Sequence, residues 1–214
     1  MDVVTEVTTP ITGLYAIADT QLIDSETLTE KVAQAIAGGA RLIQYRDKTH
    51  HSTQRQHQAQ QLKTLCQQHG VPLIINDNIE LAKKIRASGV HLGRDDDDIK
   101  LARKTLGKDA IIGISCYNDL ARAIEAEKGG ADYVAFGRFF DSPTKPNAIQ
   151  AESGLLKQAK TTLTIPIVAI GGISSENGGY LIDAGANSLA VISGVFAATN
   201  VYAAAWAYSK LFSH

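Results

Sequence analysis

Ala37-Gly38-Gly39-Ala40-Arg41-Leu42-Ile43-Gln44-Tyr45-Arg46-Asp47-Lys48 carries a helix-like pattern through a glycine pair into an apolar, strand-like run that finishes in charge. Glycine there suits the left-handed cap that ends a helix and lets the chain re-enter a sheet. The junction recurs as Ala87-Ser88-Gly89-Val90, Lys128-Gly129-Gly130-Ala131 and Asp183-Ala184-Gly185-Ala186. Anchored on these junctions, strands are expected at Leu14–Asp19, Leu42–Arg46, Leu73–Asp77, Val90–Gly93, Ile111–Ser115, Tyr133–Gly137, Ile167–Gly171 and Leu189–Ser193. Most are near-continuous apolar runs, the mark of parallel strands covered on both faces and joined by helical crossovers. Eight such units in 214 residues point to one α/β domain, a closed (β/α)8 TIM barrel, with an open doubly wound sheet as the alternative.

Composition narrows the function. The formal net charge is −1, and no Lys/Arg run is long enough for a nucleic-acid stripe or a polybasic membrane patch. A small-molecule ligand is the expectation. Met1–Pro10 lacks the basic and apolar regions of a secretion signal. The alanine-rich stretch Val195–Phe212 is interrupted by Thr199, Asn200, Ser209 and Lys210, which suits a packed helix better than a membrane span. Cys66 and Cys116 have no metal-type spacing and make no disulfide framework, so a reducing cytoplasm is the simplest home.

A barrel of this kind places its active site at the carboxyl ends of the strands, and those ends carry the polar residues. Along the second strand Leu42, Gln44, Arg46 and Lys48 share one side, while Ile43, Tyr45 and Asp47 share the other. Two cations side by side repel unless an anion of high charge, such as a polyphosphate, pairs with them. Asn76-Asp77-Asn78 opens a helical pattern, and two readings stand: a cap for the free amide hydrogens, or a carboxylate at the barrel mouth. Asp95–Asp98 also precedes a helix, where the helix dipole accounts for three of the four. The remaining one could join Asp77 in holding Mg²⁺, which takes one or two protein carboxylates and completes its shell with phosphate and water.

Phe136–Ala148 is too long for a minimal turn and contains Pro143, Pro146, Ser142, Thr144 and Lys145, the make-up of a substrate loop. Gly171-Gly172 and Ser193-Gly194 follow the seventh and eighth strands, where backbone amides in barrels cradle a phosphomonoester. His91, Cys116 and the loop histidines His50 and His51 read as packing or solvated residues. No basic partner that would activate Cys116 can be assigned.

Over Gly13 to Phe212 the chain resembles thiamine phosphate synthases. The matching motifs are Gln44-x-Arg46-x-Lys48, Asn76-Asp77, His91-x-Gly93-x-x-Asp96, Gly113-x-Ser115, Ser142-x-Thr144-Lys145, Ile170-Gly171-Gly172-Ile173 and Ile192-Ser193. The resemblance implies a transferase of thiamine biosynthesis that joins hydroxymethylpyrimidine pyrophosphate to thiazole phosphate with Mg²⁺. It divides the chain into a lead-in at 1–12 and a TIM-barrel catalytic domain at 13–214. It implies that Gln44, Arg46, Lys48, Asn76, Ser115 and Lys145 contact the pyrimidine pyrophosphate, that Asp77 and Asp96 hold the metal, and that Ser142, Thr144, Gly172, Ile192 and Ser193 contact the thiazole phosphate. Arg94, Tyr117-Asn118, Arg138 and Asp141 depart from the usual pattern, and Ser142 keeps the hydroxyl of a common Thr. A thiazole tautomerase on the same barrel would not need Arg46, Lys48, Asp77, Asp96 and Lys145 together. A phosphate-sensing module would not need a metal and leaving-group pocket, and a phosphosugar isomerase would need an acid–base pair that the mouth lacks.

Overall fold

In the computed structural model, which describes residues 11–49, 51–93, 99–141 and 150–213, the alternation along the second strand separates two packed layers. Leu42 joins Tyr15, Ile17, Ile74, Tyr133 and Val168 inside the barrel, whereas Ile43 and Tyr45 pack outward against the helices. The strands are β1 (Gly13–Asp19), β2 (Ala40–Arg46), β3 (Leu73–Asn76), β4 (Gly89–Leu92), β5 (Ile111–Tyr117), β6 (Tyr133–Phe136), β7 (Ile167–Ile170) and β8 (Ser188–Val191). The helices are α1 (Leu28–Ala37), α2 (Ser52–Gln68), α3 (Ile79–Ile85), α4 (Ile99–Leu106), α5 (Leu120–Lys128), α6 (Ser153–Thr162), α7 (Gly178–Ala184), α8 (Ser193–Phe196) and α9 (Val201–Lys210).

All strand pairs are parallel, and β1 pairs with β8 from Gly13↔Ser188 to Ala16↔Val191, closing the barrel and setting aside the open sheet. Ile11, placed in the lead-in by the sequence reading, is buried with the inner layer just ahead of β1.

The glycine phrase has two physical meanings. Gly39 takes φ +101°, the left-handed conformation expected of it, while a Cβ on Gly38 would lie 2.5 Å from the Tyr202 carbonyl oxygen and 2.7 Å from the Ala205 Cβ. The pair therefore turns the chain and also lets α9 press on α1. In the second copy the left-handed residue is Arg86, and Gly89 instead lets β5 approach, since its Cβ would meet the Ile111 carbonyl oxygen at 1.8 Å.

Gly178 is buried at the start of α7, where a Cβ would meet Leu189 Cδ1 at 2.7 Å. The C-terminal alanine-rich stretch is two helices. Asn200 accepts the Ala203 amide hydrogen at 2.9 Å and caps α9 separately from the single turn α8.

Candidate active site

The carboxyl ends of the strands enclose a cleft lined by Tyr15, Ile17, Gln44, Arg46, Asn76, His91, Ser115, Tyr117, Ala135, Arg138, Ile170 and Ile192. Its empty volume, counted out to the open rim and including open solvent, is about 910 Å³. Apolar walls from β6, β7 and β8 face polar side chains from β2 to β5. Such a cleft suits a flat ring bearing a charged tail.

Arg46 and Lys48 are not the bare, mutually repelling cations that the alternation implied. Arg46 Nη1 donates to Asp19 Oδ2, and Asp19 is 2 % exposed with its other oxygen accepting the Gln21 amide at 3.0 Å. Lys48 lies past the end of β2, in a second recess with Arg55, Asn76, Asp77 and Asn78, where its ammonium donates to Asp77 Oδ2. Lys48 therefore does not continue the inward face of Leu42, Gln44 and Arg46. Strand alternation stops where the strand stops.

The triplet after β3 divides its labour. Asn78 is the cap of α3, its Oδ1 accepting from the Leu81 amide at 2.8 Å. Asp77 takes φ +62° and accepts from Lys48 and the Asn76 side chain instead, so the capping reading holds for Asn78 alone.

A line of side chains that the sequence did not reveal runs along the base of the cleft. Gln44 Nε2 donates to Tyr15 Oη at 2.7 Å, and Tyr15 Oη lies 2.8 Å from Tyr133 Oη. Tyr133 Oη is 2.9 Å from His91 Nδ1, and His91 Nε2 is 2.9 Å from Ser115 Oγ. His91 stacks on the Tyr133 ring with centroids 5.6 Å apart. Burial raises both tyrosine hydroxyls above their ordinary range, so they stay protonated. Inward-pointing polar tips on apolar strands were the available signal.

Ser115 is also held through its backbone. Arg122 reaches from α5 to donate to the carbonyls of Ser115 at 2.8 Å and Gly93 at 2.9 Å, tying the ends of β4 and β5 together. Beside it β5 shifts register at Tyr117, which takes φ +56°.

A smaller recess between the ends of β7 and β8 is lined by Gly171, Gly172, Ile192, Ser193 and Gly194 and shares its Ile170–Ile192 wall with the cleft. Gly172 takes φ +65°, and a Cβ there would lie 2.4 Å from the Asp141 carbonyl oxygen. The loop after β6 crosses so close that only glycine fits, and Phe140 N donates to the Gly171 carbonyl at 3.0 Å. Arg138 pairs with Asp141 in that loop, joining two of the departures from the usual pattern.

The family model described as thiamine monophosphate synthase matches residues 14–195. The chain belongs to the thiamine monophosphate synthase family. It is 57 % identical over 202 residues to the thiamine-phosphate synthase of Nitrosococcus oceani, covering 94 % of this chain and 93 % of that one. To the thiamine-phosphate synthase of Nitrosospira multiformis it is 52 % identical over 203 residues, covering 94 % and 86 %. The solved thiamine phosphate pyrophosphorylase from Pyrococcus furiosus superposes with a TM-score of 0.85 at 33 % identity, covering 95 % of this chain and 96 % of that one. As a member of this family the chain is a transferase of thiamine biosynthesis, condensing 4-amino-2-methyl-5-hydroxymethylpyrimidine pyrophosphate with thiazole phosphate to give thiamine phosphate and pyrophosphate.

For a thiamine phosphate synthase, the structure brings Gln44, Arg46, Asn76, Ser115 and Ile192 to one cleft, with Lys48 and Asp77 in the adjoining recess and Gly172 and Ser193 across the barrel. Asp96, Ser142, Thr144 and Lys145 lie outside the described residues. Among the described residues no group of three or more His, Cys, Asp or Glu side chains could hold a metal ion. Asp77 nevertheless fits the chemistry of Mg²⁺, since its hard carboxylate oxygens stand at a partly exposed rim and this ion needs few protein ligands. The two cysteines are free and buried, and burial pushes each thiol up to about 12. No helix among the described residues is long and apolar enough to cross a membrane.

Proposed function

We propose that this synthase binds its two substrates at opposite walls of one barrel mouth. The pyrimidine ring occupies the cleft between Gln44 and the apolar wall of Ala135, Val168 and Ile170, with its pyrophosphate toward Arg46, Lys48, Asn76, Ser115 and Lys145. The thiazole phosphate takes the glycine recess, held by Gly172, Ile192 and Ser193 and by Ser142 and Thr144. The observation that carries this reading is the shared Ile170–Ile192 wall, which puts the neutral, glycine-lined recess directly beside the cationic cleft.

Asp77 and Asp96 would hold Mg²⁺, which when bound neutralises charge on the pyrophosphate oxygens. As the bond from the pyrimidine methylene to the pyrophosphate oxygen breaks, negative charge grows on the departing group. Arg46 and Lys48 are cations already placed beside the cleft, so little reorganisation is needed there as that charge develops, and Lys145 is assigned to the same group by its sequence motif. Ser115 donates a hydrogen bond to the same group. The thiazole nitrogen then closes on the electron-poor methylene, and fixing both partners in one mouth removes much of the entropy cost of their meeting. No protein nucleophile takes part.

Asp19 and Asp77 pair with Arg46 and Lys48 and hold both cations in place before substrate arrives. Balanced charge and two buried free thiols also suit small-molecule chemistry in a reducing cytoplasm, away from nucleic acid. The test is to mix the protein with Mg²⁺ and the two substrates and identify the product by mass. Thiamine phosphate is expected, and binding of both substrates with no product would make the protein a sensor instead.

A further inference from the structure

The line Gln44–Tyr15–Tyr133–His91–Ser115 joins five strands, β2, β1, β6, β4 and β5, in four hydrogen bonds. A hydroxyl has one hydrogen, and a neutral imidazole has one N–H and one lone-pair nitrogen. A line built from such groups has a direction, and fixing one member fixes the others. Gln44 gives an Nε2 hydrogen to Tyr15, so Tyr15 directs its own hydrogen to Tyr133, its other side-chain partner among the described residues. Tyr133 then donates to His91 Nδ1, and His91 Nε2 carries the hydrogen that Ser115 Oγ accepts. Gln44 Oε1 is left as an acceptor for the substrate, and the Ser115 hydroxyl is left as a donor.

Running the line the other way inverts both ends at once. A Gln44 turned round offers only amide hydrogens to the substrate, Tyr133 donates to Tyr15, His91 carries its hydrogen on Nδ1, and Ser115 gives its hydrogen to Nε2. Intermediate arrangements leave a buried hydroxyl hydrogen without an acceptor or set two lone pairs face to face, and either is costly in a dry interior. Tyr15 and Tyr133 are 1 % and 0 % exposed, so water has little access to relieve the mismatch.

We propose that Tyr15, Tyr133 and His91 are positioning residues that couple Gln44 to Ser115, so that the site accepts an exocyclic amino group at one end only together with an anionic acceptor at the other. The inference rests on the placement of the pyrimidine pyrophosphate in this cleft. A pyrimidine carrying oxygen in place of the amino group presents an acceptor to Gln44, turns its amide, and through the line withdraws the hydrogen Ser115 offers to the pyrophosphate. Discrimination is then felt at both ends of the substrate, more than a lone amide contact would give.

Two measurements test this. In the parent protein without substrate, nitrogen-15 NMR should find the His91 hydrogen on Nε2, with Nδ1 bare, and a hydrogen on Nδ1 would overturn the assigned direction. The second is the inhibition constant of the oxo analogue divided by the KM of the amino substrate, in the parent, Tyr133→Phe and Tyr15→Phe. The ratio should be about a hundredfold or more in the parent and fall about tenfold in either variant, since each cuts the line while leaving Gln44 and Ser115 in place. An unchanged ratio in a folded variant would overturn the coupling and leave the substrate placement standing. Failure of the parent to form thiamine phosphate would overturn both, whereas the NMR result stands apart from substrate placement.

Discussion

Lys48 and Asp77 meet across the gap between the ends of β2 and β3, and Asn76 donates to the same carboxylate oxygen. A cation assigned to the leaving group and a carboxylate assigned to the metal thus hold each other at the rim. Their side chains are 46 % and 23 % exposed, so the pair contributes only about 0–1 kcal/mol to stability.

Asp77→Asn should therefore leave the melting temperature within about 4 °C of the parent while lowering turnover by about a hundredfold or more and raising the Mg²⁺ concentration needed for half-maximal rate. Thermal melting and a Mg²⁺ titration of the rate check both halves. A large loss of stability with normal Mg²⁺ dependence would make Asp77 structural.

Arg46 behaves differently because its partner is buried. Removing it in Arg46→Ala strands the Asp19 carboxylate with only the Gln21 amide, a change that costs about 3 kcal/mol or about 6–12 °C in melting temperature. Activity falls as well. The double variant Arg46→Ala/Asp19→Asn should recover much of the stability and none of the rate, which melting curves and assays separate.

How much of this was readable from residues depends on the range of the interaction. Period-two alternation in Leu42–Arg46 is local, so it correctly put Leu42, Gln44 and Arg46 on the inner face. The partner of Arg46 is 27 residues away and that of Lys48 is 29, so pairing them requires the register Asp19↔Arg46 and the packing of β2 on β3. Tyr15 and Tyr133 looked like ordinary core residues because each sits in an apolar run. Only barrel closure brings their hydroxyls together from 118 residues apart. The glycine at Gly178 has a reason that local sequence does not carry, since the Leu189 side chain it makes room for lies on another element.

Gly113 makes room for the Tyr133 ring, since a Cβ there would lie 2.0 Å from Tyr133 Cζ. Gly113→Ala should lower stability by about 1–3 kcal/mol and displace the ring from His91, with loss of activity. Urea unfolding gives the first quantity. A variant of parent stability and rate would show that the ring moves aside without consequence.

Lys145, assigned to the leaving pyrophosphate, should matter for rate and little for the second substrate. Lys145→Ala is expected to lower kcat by about 10²–10³ with a much smaller change in thiazole phosphate affinity. Steady-state kinetics in each substrate decides it, and equal turnover in variant and parent would defeat the assignment.

Burial favours the protonated thiols of Cys66 and Cys116, with values pushed up to about 12. Their contribution to stability is whole below the ordinary thiol value and is lost as pH rises toward about 12. At pH 8 burial keeps both thiols protonated and out of reach, so iodoacetamide should label the native protein far more slowly than an unfolded control. Equal labelling by intact mass would show that the thiols are accessible.

The central claim is that a divalent ion and fixed cations at one rim draw off a diphosphate. Its most direct measurement is pyrophosphate release with both substrates, followed as Mg²⁺ is supplied and then chelated. The account predicts one pyrophosphate for each thiamine phosphate formed, release that stops on chelation, and loss of release in Arg46→Lys/Lys48→Ala at saturating substrate. Undiminished release after chelation, or from that variant, would contradict it.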